Sequence, residues 1–290
     1  MTTDSDFEPV SRTYTTQGLK LHYLDWGNEE APLVVLLHGM RDHARSWDWT
    51  ARALRDRFHV IAPDLRGHGD SEWSPDGAYL AAYHVLDLAD LLDVLGTRPA
   101  ALVAHSFSGN FAARYTAMFP ERVSKLVIVD GLGPSQEVLR GWAERGPLVR
   151  TREWFEGRRK VATQKPRRFA SIEDGMARMI AANGKLTPEQ ARYLTMHGVR
   201  RYEDGYSWKY DPVIGTFLPE DFCVDLSAFW REITVPTLLC YGPESWTTHP
   251  ETDGRAQYFR DHRTVVFENA GHWLHHDRLD AFVATLREFL

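Results

Sequence analysis

Short continuous apolar runs alternate along this chain with stretches whose apolar residues recur at helical spacing. Leu33–Leu37 is unbroken hydrophobic sequence, the pattern of a strand buried on both faces. Residues 46–57 follow, with Trp47, Trp49, Ala53 and Leu54 at helical intervals. Residues 58–62 read as a second short strand, stopped by Pro63. Residues 79–95 predict an amphipathic helix ended by Gly96. A strand at 100–104, a helix at 107–119 and a strand at 125–130 continue the rhythm. Two alternating segments, 11–16 and 19–25, precede it and are joined by a turn at Gln17-Gly18. Strands alternating with helices predict a mostly parallel sheet covered on both faces.

The rhythm breaks after Gly131-Leu-Gly-Pro134 and resumes at 237–241, with a strand at 264–267 and a closing helix at 274–290. The interval carries helical patches, several aromatic residues and no buried strand. We therefore expect a core built from 1–134 and 230–290, and a helical insertion at 135–229. The insertion is expected over the C-terminal edge of the sheet, where open α/β sheets bind ligands. The aromatic residues Trp142, Trp154, Tyr206, Trp208 and Tyr210 point to an apolar pocket beneath it, although each also suits the insertion's own core.

Composition narrows the function classes. A chain of 290 residues with 43% hydrophobic content supports one large α/β domain, or a core with an insertion. Its formal charge of −6 argues against general nucleic-acid binding. No apolar run reaches membrane-spanning length, and residues 1–9 are polar and acidic, unlike a secretory signal. Cys223 and Cys240 form no motif and fit a reducing compartment. The expectation is a cytoplasmic protein with no membrane insertion. Between 140 and 168, Arg and Lys outnumber Glu144, Glu153 and Glu156. That bias suits a solvated helix face, or attraction of an anion.

Candidate chemistry centres on Ser106. An apolar strand reaches it and a helix follows at once, the context of a nucleophile elbow. Such a turn needs small residues two before and two after; Ala104 and Ser108 stand there, and Gly109 follows. The competing reading is a serine that caps a helix N-terminus. His272 lies in Asn269-Ala-Gly-His-Trp-Leu-His-His276, between the last strand and the last helix, which puts it on the same sheet edge as Ser106. There it can accept the serine proton and return it to a leaving group. His275 and His276, on the following helix, read as packing or surface residues. Backbone N–H groups of Phe107, at the helix start, and Met40, after Leu37-His38-Gly39, are the candidate oxyanion donors.

His38-Gly39, the run Asp64-Leu-Arg-Gly-His-Gly-Asp-Ser71, the Ser106 turn and Gly271-His272 occur in an order that resembles the α/β-hydrolase superfamily, in its serine-hydrolase, esterase-like form with a helical cap. The resemblance covers almost the whole chain. It implies a mostly parallel eight-stranded sheet, a variable cap, and no cofactor or metal. It also implies a structural role for the 64–71 run, with Arg66 and Asp70 tying the loop. One departure stands out. The family usually carries its acid after the seventh strand, in Gly-x-x-Asp; here Gly242-Pro-Glu-Ser245 puts serine at that place. The acid expected to orient His272 is then Asp130 after the sixth strand, where some members of the family carry it; the alternatives are Glu244 or no acid at all. The expected function is cleavage of a small or medium carboxylic ester through an acyl-enzyme. The alternatives are C–C bond, thioester or lactone hydrolysis at the same site, or a nearly inactive ligand-binding relative.

Overall fold

Along β3 (Leu33–Leu37), Leu33, Val35 and Leu37 join one hydrophobic cluster while Val34 and Leu36 join another. β5 (Ala100–His105) divides its side chains in the same way, with Leu102 to one face and Val103 to the other. A strand apolar on both faces must be central and covered twice, because its side chains alternate in direction. In the computed structural model, which describes residues 7–164, 167–216 and 225–290, that requirement is met by an eight-stranded sheet. The remaining strands are β1 (Val10–Thr16), β2 (Leu19–Asp25), β4 (His59–Pro63), β6 (Val123–Val129), β9 (Thr237–Tyr241) and β10 (His262–Val266). Their order is β1-β2-β4-β3-β5-β6-β9-β10. β2 runs antiparallel to β1 and β4, and the other pairs are parallel. The β1–β2 turn places both Gln17 (φ +47°) and Gly18 (φ +80°) in the left-handed region, as the tightest hairpins demand.

One face is covered by α2 (Ala81–Leu95) and α3 (Phe107–Met118), the other by α1 (Asp48–Leu54) and the C-terminal helices α9 (Leu274–Asp277) and α10 (Leu279–Phe289). The single closing helix expected at 274–290 is broken at Arg278, whose extended φ of −133° interrupts the helical turn. Between β6 and β9 lie α4 (Gln136–Glu144), α5 (Pro147–Thr163), α6 (Ile172–Ala182), α7 (Pro188–Gly198) and α8 (Leu226–Trp230). The interval also holds an antiparallel hairpin of β7 (Val199–Tyr202) and β8 (Gly205–Trp208), which the apolar pattern did not predict. Most of its residues are only partly buried, so no apolar run marks it. Cys240 is buried, and Cys223 and Lys165 lie outside the described residues. Among the described residues no helix is long and apolar enough to cross a membrane.

The 64–71 run is tied differently from the sequence expectation. Asp64, not Asp70, is its hub: it accepts from the Ala44 N–H at 2.7 Å and the Asp70 N–H at 3.0 Å, and meets His22 Nδ1 at 2.7 Å. Burial disfavours its charge, but these donors and His22 hold the carboxyl well below the ordinary range. Asp70 is exposed and pairs instead with Lys209. Arg66 reaches away to α2, where Nε and Nη2 each lie 2.6 Å from an oxygen of Asp87. Both residues are buried. Arg66→Met is therefore expected to cost about 3–5 kcal/mol in urea unfolding, because it strands a buried carboxylate. Arg66→Met/Asp87→Leu should recover most of that loss.

Candidate active site

Ser106 ends β5 and begins α3 with φ +56° and ψ −121°. A non-glycine residue in that region is strained, and such strain concentrates at functional turns. The surroundings enforce it. A Cβ on Gly109 would overlap the Gly131 carbonyl oxygen, so α3 and the loop after β6 meet backbone to backbone. The Ser106 N–H donates to Val129 O at 2.9 Å, and buried Ser108 donates its hydroxyl to His38 O. Ser106 makes no side-chain capping bond to α3. Its Oγ stands 2.8 Å from His272 Nε2 instead.

On the far side of the ring, His272 Nδ1 lies 2.5 Å from Asp130 Oδ2. Asp130 follows β6 directly, with φ +48°, and its side chain is only 1% exposed. Its oxygens also accept from Ser245 Oγ, at 2.5 Å, and from Thr247 Oγ1. A buried carboxylate needs such donors, since each one offsets lost hydration. Ser245, which stands where the resemblance would put the acid, thus hydrogen-bonds Asp130 at the end of the neighbouring strand. Glu244 lies half-exposed in an ion pair with Lys185 at 2.8 Å.

Buried histidines hold the loops around the site. His38 Nδ1 donates to Gly39 O at 2.7 Å, and its Nε2 accepts from the Leu65 N–H at 3.0 Å, which fixes the loop carrying Met40. Burial lowers its pKa. His105 Nε2 donates to His272 O at 2.9 Å, and burial pushes its pKa well down. Asp277 accepts from the Gly271 N–H at 2.7 Å and holds the same loop from the other side. His275 and His276 are buried packing residues; the His275 ring lies 4.6 Å from that of Trp47.

Met40 and Phe107 line one cavity with Ser106 and His272, of about 560 Å³. Val138, Trp142 and Trp246 make much of its wall apolar. Of the aromatic residues singled out in the insertion, Trp142 lines this cavity. Tyr206 and Trp208 pack on Phe169 instead, and Trp154 lies beneath Arg158. Arg41 and Asn110 also reach the cavity, and no sequence motif marked them. Among the described residues, Asp42, His105 and His275 bring possible metal-ligand atoms within 4.8 Å of one another. Asp42 already accepts from the His43 N–H and Ser46 Oγ, both at 2.9 Å, while the His105 and His275 rings pack on each other with centroids 4.6 Å apart.

A family profile for the alpha/beta hydrolase fold matches residues 32–279. The chain belongs to that family of hydrolases. It is 31% identical over 291 residues to the esterase Rv0045c of Mycobacterium tuberculosis, covering 97% of this chain and 90% of that protein. It is 26% identical over 280 residues to mouse epoxide hydrolase 4, covering 94% and 77%. Among solved structures, a thioesterase domain from the curacin biosynthetic pathway superposes with a TM-score of 0.84 at 21% identity, covering 97% of this chain and 100% of that one. At that identity the likeness bears on fold alone.

Proposed function

We propose that this protein is a serine hydrolase that cleaves small or medium carboxylic esters through an acyl-enzyme. The observation that carries the reading is the unbroken line from Ser106 Oγ to His272 Nε2, and from His272 Nδ1 to Asp130. His272 takes the Ser106 proton as Oγ attacks the ester carbonyl. Asp130 accepts from Nδ1–H, fixes the tautomer that leaves Nε2 as acceptor, and stabilises the imidazolium. Backbone N–H groups of Met40 and Phe107 receive the developing oxyanion. His272 then protonates the leaving alkoxide, and water, deprotonated by His272 in turn, releases the acid. The insertion at 135–229 serves as the cap, and its Val138, Trp142 and Gly215 line the cavity beside Ser106.

The 31% identity with an esterase across most of both chains supports ester chemistry. Likeness to an epoxide hydrolase does not carry the same weight. The family resemblance assigns epoxide opening to an aspartate nucleophile, and this chain has Ser106 at the turn. The test is labelling with a fluorophosphonate, which reports a nucleophilic serine without knowledge of the substrate. Wild type should be labelled and Ser106→Ala should not. Absence of labelling in wild type, or equal labelling of both, refutes the reading.

A further inference from the structure

Arg41 and Asn110 put polar groups into a cavity whose walls are otherwise largely apolar. Asn110 sits on α3, one helical turn after Phe107, and is 4% exposed. Among the described residues, neither its Oδ1 nor its Nδ2 has a hydrogen-bond partner. A buried carboxamide without partners is costly, and a leucine of similar size would fill the place without that cost. Such a group is retained where a ligand completes it.

Arg41 is placed by three separate contacts. Its backbone lies at φ +63°, a region unusual for arginine. The His68 ring holds it there: Nδ1 donates to Arg66 O at 2.9 Å, which leaves Nε2 to accept the Arg41 N–H at 3.0 Å. Burial lowers the His68 pKa to about 3, so the acceptor persists through the physiological range. The guanidinium stands 5.9 Å from the centre of the Tyr210 ring. It also occupies the space beside Gly215, where any Cβ would overlap Nη2. A side chain at Gly215 would push the flexible guanidinium aside. Among the described residues no carboxylate pairs with Arg41.

We propose that Arg41 and Asn110 form a carboxylate subsite and that the protein selects esters carrying a free carboxylate. Arg41 receives the anion at the mouth of the cavity, and Asn110 Nδ2 donates a second hydrogen bond deeper in. The scissile carbonyl then lies at Ser106. This inference rests on the serine-hydrolase reading and names its substrate class.

The experiment compares kcat/KM for 4-nitrophenyl hemiadipate, which carries a carboxylate, with that for neutral 4-nitrophenyl heptanoate. Wild type should favour the anionic ester by about tenfold or more, and added salt should reduce the ratio. Arg41→Gln should bring the ratio close to one, while Arg41→Lys keeps part of it. Gly215→Ala should lower the ratio with the charge still present, because the guanidinium is displaced. Asn110→Leu should lower it about threefold to tenfold with an equal or higher unfolding temperature, which a purely structural asparagine would not do. A wild-type ratio of one or less, or a ratio unchanged in Arg41→Gln, overturns the proposal. If fluorophosphonate still labels Ser106 in that protein, only the carboxylate subsite fails. If wild type is not labelled, both readings fall.

Discussion

Replacing Ser106 with alanine is expected to lower kcat for a 4-nitrophenyl ester by about 10,000-fold to 1,000,000-fold, the range seen when a triad nucleophile is removed. Labelling by fluorophosphonate should vanish with it. The size follows from the division of labour at the site. On the proposed mechanism the serine supplies the covalent step, while the N–H groups of Met40 and Phe107 and the cavity walls would still bind the ester and polarise its carbonyl. KM should therefore change far less than kcat. The variant should also fold. The Ser106 hydroxyl caps no helix, and the left-handed turn costs alanine about what it costs serine. Circular dichroism and urea unfolding separate this outcome from collapse of the turn. A variant that folds and retains a tenth of wild-type activity would remove Ser106 from the mechanism.

What was legible in the sequence was whatever a local pattern pins to a strand end. Ser106 follows an apolar run and precedes a helix, and His272 fills the short link after the last strand. Once the strands are parallel, both must reach the same edge. The third group was legible only in part, with Asp130 expected and Glu244 left open. Which carboxylate meets His272 depends on the neighbouring order of β6 and β9 and on side-chain reach, and neither is encoded near His272 itself. Asp130 and Glu244 each follow a strand of that pair, so position alone favoured Asp130 without excluding Glu244. The choice is made by partners: Lys185 draws Glu244 outward, while Ser245 and Thr247 turn their hydroxyls onto Asp130. Arg41 and Asn110 escaped notice for a related reason. A pocket wall is assembled from loops and helix turns distant in sequence, and a lone arginine or asparagine carries no periodic signal. The break at Arg278 has no glycine or proline to announce it, so the closing helix read as continuous.

Asp130→Asn is expected to reduce kcat by about 10,000-fold while leaving the fold intact. The amide keeps the shape of the carboxylate but offers Nδ2–H to the ring. His272 Nδ1 would then accept, the proton would sit on Nε2, and Nε2 could no longer take the hydrogen of Ser106 Oγ. Glu244→Gln should retain nearly full activity, since that side chain is half-exposed and tied to Lys185. Ser245→Ala should fall between them: it removes one of the donors to Asp130 but leaves those from Thr247 and His272. The strongest form of the test is rescue. Ser245 occupies the turn after β9, where the resemblance puts the family's acid, and its Oγ already lies 2.5 Å from Asp130 Oδ2. Asp130→Asn/Ser245→Asp should therefore regain part of the lost kcat by supplying a carboxylate from the adjacent strand. If Asp130→Asn keeps full turnover, His272 works without a carboxylate at Nδ1 and the oriented-imidazole mechanism fails. If the single variant is crippled and the double variant partly recovers, what His272 requires is a negative charge at Nδ1, whichever of the two strands provides it.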